Sequence, residues 1–278
     1  MTYVLYNYTP SAAAAIIFTI AFAISTALHF WQIFTKKTWY FIPFVIGGCF
    51  EVLGYIMRYM SAKQSPNYST GTYAGQNLLL LLAPSFFAAS VYMILGRIIR
   101  LLNAGSISLV RPNWLTKIFV TGDVLSFFIQ SGGGGMMATA STTSAVNMGE
   151  KMIIGGLFVQ VLSFGFFIIV SFVFHRRMLA SPSHAVVKTE IPWTKYMMVL
   201  YAASLMIMVR SIYRVAEYIQ GTTGFLQSHE VFIYIFDATL MLGCCILFNL
   251  FHPSKIISKD RLKGGDEVLL GDSSYARV

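Results

Sequence analysis

Apolar residues dominate the chain in seven long runs, separated by short polar segments. Each run approaches the roughly 20 residues that an α-helix needs to cross a bilayer, whereas soluble cores interrupt their apolar runs sooner. The pattern therefore predicts an all-α, polytopic membrane protein with seven transmembrane helices in one domain, residues 1–253, and a cytosolic tail without fixed structure, residues 254–278. The predicted spans are residues 11–34, 40–60, 76–99, 114–138, 152–174, 196–218 and 231–251.

The composition agrees with this class of protein. Of the 278 residues, 56% are hydrophobic and 11% are charged, and the mean hydropathy is +0.66. Soluble domains are less apolar and carry about a quarter charged residues. Cys49, Cys244 and Cys245 lie inside the apolar runs. Their spacing matches neither a disulfide framework nor a metal site, so we expect them to be packing residues.

The distribution of basic residues predicts the orientation in the membrane. Most of the 20 Lys and Arg residues lie in or beside the segments that follow the first, third, fifth and seventh runs. The segments on the opposite side hold only Lys63 and Lys151. Because basic residues are enriched on the cytosolic side, we expect the N-terminus outside and the C-terminus in the cytosol. The net charge of +9 is explained in this way without nucleic acid.

The sixth run carries ionisable side chains that a bilayer disfavours. Arg210, Arg214 and Glu217 lie at positions i, i+4 and i+7 and therefore share one helix face. Charges at membrane depth are expensive, and they are usually paired or functional. In the predicted topology, other polar residues of runs two, four and seven reach similar depths. We expect one cluster or outward-facing cavity formed by Glu51, Tyr55, Arg58, Asp123, Gln130, Arg210, Arg214, Glu217 and Asp237.

Two readings of this cluster stay open: it binds a ligand, or it only holds the helices together. Two backbone features accompany it. Pro84 interrupts the third run and frees a carbonyl that a neighbour must satisfy. Four consecutive glycines, residues 132–135, predict local unwinding of the fourth run, because glycine is a poor helix former.

The sequence gives little support to the hypothesis that the protein is an enzyme. His29, His175 and His252 all fall near the predicted inner face, but no His-x-x-x-His or His-Glu-x-x-His pair accompanies them. No phosphate-binding motif follows the four glycines. We therefore expect no catalytic residues, no metal and no cofactor, and we expect the protein not to be an enzyme.

The spaced polar positions also resemble a known family, the fungal lipid-translocating exporters related to the resistance-to-7-aminocholesterol proteins. The resemblance covers nearly the whole chain up to Pro253. It rests on Phe50-Glu51-x-x-Gly54-Tyr55-x-x-Arg58, Gly122-Asp123, Gln130-x-Gly132-Gly133, Arg210-Ser-x-Tyr-Arg214-x-x-Glu217-Tyr218, Tyr234-x-x-Asp237 and Asn249-x-x-His252-Pro253.

The resemblance implies a seven-helix fungal membrane protein that translocates amphiphilic lipids, such as sphingoid long-chain bases or sterol-like toxic compounds, and so gives lipid export or stress resistance. Its partners would be membrane lipids and a small amphiphilic substrate. We expect it in the plasma membrane, with other endomembranes as the alternative. The family brings no catalytic residues, and the oligomeric state stays open. The alternatives are a seven-helix receptor and a stress-response membrane protein without transport of its own.

Overall fold

The computed structural model of the protein describes residues 6–140, 142–180, 192–221 and 224–255. These residues contain no β-strand, so the prediction of an all-α fold is confirmed. The predicted tail lies outside the described residues from position 256 onwards. The described residues contain seven long helices: α1 Ala12–Lys36, α2 Ile42–Lys63, α3 Thr70–Leu101, α4 Pro112–Thr139, α5 Thr143–Ala180, α6 Trp193–Ile219 and α7 Val231–Leu250.

Local sequence signals mark several helix ends. The Ser11 hydroxyl accepts a hydrogen bond from the Ala14 backbone N–H at 3.3 Å and caps α1. Lys37 ends the same helix in the left-handed conformation, with φ 51°. Pro43 and Pro112 lie in the first turns of α2 and α4, where a missing N–H is tolerated. A short helix, Phe225–Ser228, precedes α7.

Consecutive helices pack against one another, and α7 returns to α1, which closes a ring. Within this ring α3 also contacts α5 and α6. Its most apolar segment is 61% buried by protein, compared with 28% for α1, so α3 is the central helix and α1 lies at the periphery. Hydrogen bonds at both ends of α1 and α7 show that these two helices run in the same direction: Ser11 reaches Glu230, and Gln32 reaches Asn249.

Six of the helices are long and apolar enough to cross a membrane, which makes the chain a polytopic integral membrane protein. They are α1, α3, α5, α6, α7 and the segment Trp39–Lys63, which contains α2. The remaining long helix, α4, has 28 residues but carries Asp123, Gln130 and the four glycines, which lower its mean hydropathy.

The glycines of α4 remain helical, in contrast to the unwinding expected from glycine propensity. The reason is close packing against α5. A Cβ atom on Gly133 would lie 2.5 Å from the Gly149 carbonyl oxygen, and one on Gly156 would lie 2.9 Å from the Ser126 carbonyl oxygen. Small residues allow such close approach of membrane helices, and the resulting contacts offset the weak intrinsic helix tendency.

Candidate functional site

The charged face of α6 meets α7 in the interior of the bundle. Arg210, Arg214 and Glu217 are 0%, 4% and 6% exposed, and Asp237 of α7 is 1% exposed. The Arg210 Nε donates to Asp237 Oδ1 at 2.7 Å, and the Arg214 Nη1 donates to Glu217 Oε2 at 2.9 Å. A further ion pair joins Arg214 Nη2 to Asp237 Oδ2. Asp237 therefore bridges both arginines, as expected for charges that must be paired in a membrane.

Asp237 lies in an unusual part of α7. Residues Tyr234–Ala238 form a π-helical turn within an otherwise α-helical segment. Such turns hold one extra residue and occur frequently at functional sites, where they redirect a side chain. Here the turn carries the carboxylate that bridges Arg210 and Arg214.

Pro84 explains the second contact of Arg210. Since proline has no N–H, the carbonyl of Leu80, four residues earlier, lacks its helical donor. The Arg210 Nη2 donates to this oxygen at 2.7 Å. The helix α3 continues through Pro84, and the freed carbonyl joins α3 to α6.

Glu51 and Tyr55 of α2 complete this region. They are one turn apart, 1% and 0% exposed, and the Glu51 carboxyl is close enough to Arg210, Arg214 and Asp237 to interact electrostatically. We call Glu51, Tyr55, Arg210, Arg214, Glu217 and Asp237 the central polar cluster. Within the described residues, four of its buried atoms have no hydrogen-bond partner: Glu51 Oε1, Tyr55 OH, Arg210 Nη1 and Arg214 Nε. Unpaired buried polar atoms are rare and call for an explanation.

Arg58 belongs to a second group, nearer the end of the bundle where α1 begins. It is 1% exposed and forms an ion pair with Glu230 at 2.8 Å. It also donates to the hydroxyl oxygens of Tyr8, at 2.8 Å, and Tyr234, at 3.0 Å. Glu230 in turn accepts from the Ser11 backbone N–H at 2.9 Å. Burial raises the pKa of the Tyr8 hydroxyl despite the nearby arginine, so this hydroxyl stays neutral at physiological pH.

Aromatic rings connect this group with the central polar cluster, since Tyr234 belongs to the first and Tyr55 to the second. The Tyr55 ring stacks against Phe18, Phe22 and Tyr234, with ring centres 5.8, 5.6 and 6.3 Å away. The Arg58 guanidinium lies 5.3 Å from the centre of the Tyr234 ring. Tyr234 therefore contacts both groups. We call the rings of Phe18, Phe22, Tyr55 and Tyr234 the aromatic layer.

The polar residues of α4 form a third group, which differs from the single cluster expected from the sequence. Asp123 accepts from the Tyr92 hydroxyl at 2.9 Å. Gln130 donates to Ser126 at 2.6 Å and to Gln160 at 3.3 Å. The physical reason is that α4 packs on α3 and α5, so its side chains meet partners on those helices rather than the arginines of α6.

Sequence reasoning missed several partners in these groups. Tyr8, Glu230 and Tyr234 around Arg58, and Tyr92 beside Asp123, were not among the predicted site residues. A usable signal for Glu230 was its place at the start of the last apolar run, level with the outer end of the second. The three histidines have different hydrogen-bond partners. The His29 ring bonds to the Cys245 carbonyl, the His175 ring to the Tyr201 hydroxyl, and the His252 ring to the Ser254 hydroxyl.

Comparison with known proteins identifies the family. The family described as "RTA1 like protein" matches residues 44–260. Protoporphyrin uptake protein 1 of Saccharomyces cerevisiae is 37% identical over 89% of this chain and 91% of its own length. Protein RTA1 of the same species is 33% identical over 90% of this chain and 84% of its own.

A more distant relative is named for the transport of a lipid. The sphingoid long-chain base transporter RSB1 of Saccharomyces cerevisiae is 25% identical over 88% of this chain and 72% of its own length. No solved structure matches the chain. The match to the family covers most of the chain, and the relatives align over nearly all of it. The chain therefore belongs to the RTA1-like family of fungal membrane proteins.

Proposed function

We propose that the protein translocates amphiphilic lipids across its membrane, with sphingoid long-chain bases and related lipophiles as substrates, and so supports lipid export or resistance. The observation that carries this proposal is the central polar cluster, where four buried polar atoms have no hydrogen-bond partner among the described residues, in a chain with six helices apolar enough to cross a membrane. The name of one relative, a sphingoid long-chain base transporter, supports the same substrate class.

The proposal includes a specific topology. All seven long helices cross the membrane, with the N-terminus outside and the C-terminus in the cytosol of a plasma-membrane protein. The parallel direction of α1 and α7, which requires an odd number of crossings, and the 28-residue length of α4 support seven crossings. The basic residues after the odd-numbered runs support this orientation. In this topology the Arg58 group lies towards the outside.

The proposal further holds that the protein is not an enzyme and uses no cofactor. Its partners are membrane lipids and the amphiphile itself, and it binds no nucleic acid. The central polar cluster can meet a charged head group, while the apolar tail stays in contact with lipid or with the apolar faces of the helices. Burying a charge is favourable only with an opposite charge or several hydrogen bonds, which this cluster offers.

The test is transport by purified protein in liposomes, measured with a fluorescent long-chain base, a fluorescent phospholipid and protoporphyrin. We expect faster movement of at least the long-chain base than in protein-free liposomes. Tyr55→Phe removes a hydroxyl that makes no hydrogen bond in the structure, so we expect normal stability but slower transport.

Tyr59→Phe is the matched control, because Tyr59 is half-buried on the same helix and lies outside the cluster. This substitution also removes one tyrosine hydroxyl. It should transport like the wild type. If wild-type protein moves none of the three compounds, the chain has no transport activity of its own, and a receptor or stress-response role replaces this proposal. If the wild type transports and Tyr55→Phe transports equally fast, transport stands and the site assignment fails.

A further inference from the structure

The central polar cluster has an uneven number of charged groups. It contains two guanidinium groups, Arg210 and Arg214, and three carboxyl groups, Glu51, Glu217 and Asp237. Glu217 and Asp237 are held by ion pairs, whereas Glu51 Oε1 has no hydrogen-bond partner within the described residues. With all three carboxyls ionised, the cluster would carry one excess negative charge at membrane depth, which is strongly unfavourable.

In the part of the chain that the structure describes, the groups around Glu51 include no further cation to balance that charge. Arg210 and Arg214 face it from α6, and Asp237 and the Cys245 thiol face it from α7. Tyr55 lies one turn away on α2 itself, with its hydroxyl unpaired. The neighbouring surfaces of α1 and α3 approach α2 here through uncharged side chains: Thr26 and Phe22 from α1, and Leu80 and Phe87 from α3.

Two chemical species can neutralise the excess charge equally well. One is a proton on the Glu51 carboxyl, and the other is a monovalent cationic head group beside an ionised Glu51. An anionic head group has the opposite effect, because it adds to the excess unless further protons are taken up. The cluster therefore favours a cationic amphiphile over an anionic one.

We infer that Glu51 holds a proton while the site is empty of ligand and releases it when a cationic amphiphile binds, so that one proton is exchanged for one cationic head group. This inference rests on the proposed amphiphile transport and names the head-group class and the residue that binds it. The head group arrives as an ammonium ion and keeps its own protons. The proton lost by Glu51 passes to water, and the carboxylate takes up one proton when the amphiphile leaves.

The aromatic layer beside Glu51 suits the same ligand. The stacked rings of Phe18, Tyr55 and Tyr234 present π faces, and the layer already lies against one cation, the Arg58 guanidinium. Ammonium groups are attracted to such faces, and the unpaired Tyr55 hydroxyl can accept a hydrogen bond from the head group.

The direct test is infrared spectroscopy of the full chain in lipid nanodiscs at neutral pH, with octadecylamine as the probe and octadecanol as its uncharged match. The wild type should show the carbonyl band of a protonated carboxyl, and part of this band should be missing in Glu51→Gln. Octadecylamine should remove that part in the wild type and release one proton per bound molecule into a weakly buffered solution. Octadecanol should do neither.

Glu150→Gln is the control variant, because Glu150 is a half-buried carboxyl near the start of α5 and outside the cluster. It should behave like the wild type. Identical spectra of wild type and Glu51→Gln without probe would overturn the inference, since Glu51 would then be ionised at rest. A band that persists on addition of octadecylamine would overturn it as well.

The outcome is separable from that of the transport assay. If amphiphiles cross liposomes while the Glu51 band stays unchanged, only this inference fails. If protoporphyrin crosses and the long-chain base does not, the cationic preference is wrong and amphiphile transport stands. If octadecylamine discharges the band and no compound crosses, the proposed transport fails while the exchange at Glu51 stands as a binding reaction.

Discussion

Arg210 connects three helices through one side chain. It lies on α6, forms an ion pair with Asp237 of α7, and donates to the Leu80 carbonyl of α3. The last contact exists because Pro84 cannot supply the N–H that this carbonyl would otherwise accept. The carbonyl that Pro84 leaves without a donor in α3 thus accepts a hydrogen bond from the buried guanidinium of α6. Each group lowers the free-energy cost of burying the other.

This coupling between Pro84 and Arg210 can be measured. Arg210→Lys keeps the charge, but a lysine ammonium cannot reproduce the planar two-sided contact of a guanidinium. We expect it to lower the free energy of unfolding by about 1.5 to 3 kcal/mol, the usual range for a hydrogen bond to a charged group. In a Pro84→Ala background, Leu80 regains a helical donor, so Arg210→Lys should be less destabilising there.

The measurement is a double-mutant cycle by thermal or chemical unfolding in detergent, which isolates the interaction between the two positions. Arg214→Lys serves as the control, because Arg214 pairs with Glu217 and Asp237, whereas the Leu80 carbonyl accepts from Arg210. Its effect should be the same with and without Pro84. Additive effects of Pro84→Ala and Arg210→Lys would contradict the role assigned to the Leu80 carbonyl.

The residues of the candidate site were only partly predictable. Helical spacing is sufficient to place Arg210, Arg214 and Glu217 on one face, since all three lie on the same helix. Partners on other helices depend on which helices are neighbours, and a single sequence does not contain that information. Asp123 therefore pairs with Tyr92 rather than with an arginine, although its depth in the bilayer was estimated to be similar.

The pair α4 and α5 shows how packing overrides helix propensity. Glycine at four consecutive positions predicts a break, yet α4 continues to Thr139, and its backbone at Gly133 lies directly against α5. The Ser126 hydroxyl donates to the Gly156 carbonyl at 2.6 Å, which adds a polar link at the closest approach. The sequence does not show which glycines make such contacts. Gly155 and Gly156 are adjacent, for example, but only Gly156 faces α4.

That adjacent pair gives a prediction with an internal control. Gly156→Ala would place a Cβ 2.7 Å from Gln130 Cγ and 2.9 Å from the Ser126 carbonyl oxygen. Because the second of these atoms belongs to the backbone, we expect a loss of about 1 to 3 kcal/mol in stability, as is typical of overpacking. A Cβ on Gly155 meets nothing within 4 Å. Gly155→Ala should keep or raise the stability by up to about 1 kcal/mol, since alanine is the better helix former.

Thermal unfolding of both variants in the same detergent is the measurement. Gly156→Ala should have a lower unfolding midpoint than the wild type, and Gly155→Ala an equal or higher one. Equal behaviour of the two variants would show that α4 and α5 do not approach as closely as described.

Hydrophobic patterning predicts the overall architecture of the molecule better than it predicts the contacts between its helices. The all-α architecture and the family were both predicted from the sequence and are confirmed, because long apolar runs and widely spaced polar motifs are properties of the chain itself. The closure of the ring by α1 and α7 was not predicted. It depends on contacts such as those of Ser11 with Glu230 and Asn249 with Ser25, which join residues more than 200 positions apart.

The number of crossings is decided by α4. Six helices suit a membrane by length and hydropathy, whereas α4 carries Asp123, Gln130 and four glycines. Its polar groups nevertheless bond to α3 and α5 inside the protein, so they need not face lipid. A helix that satisfies its polar groups internally can cross a bilayer at a lower mean hydropathy than an isolated helix. We therefore expect α4 to cross.

Two exposed serines at opposite ends of α4 test this expectation. Ser106 lies before the helix, and Ser144 follows it. In intact cells, a membrane-impermeant maleimide should label Ser144→Cys and should label Ser106→Cys only after permeabilisation. The parent chain, whose cysteines lie within helices, gives the background. If both variants react from the same side, α4 does not cross and the two termini lie on one side of the membrane. The outward placement of Arg58, which precedes α4, and of Glu230, which follows it, would then have to be established separately.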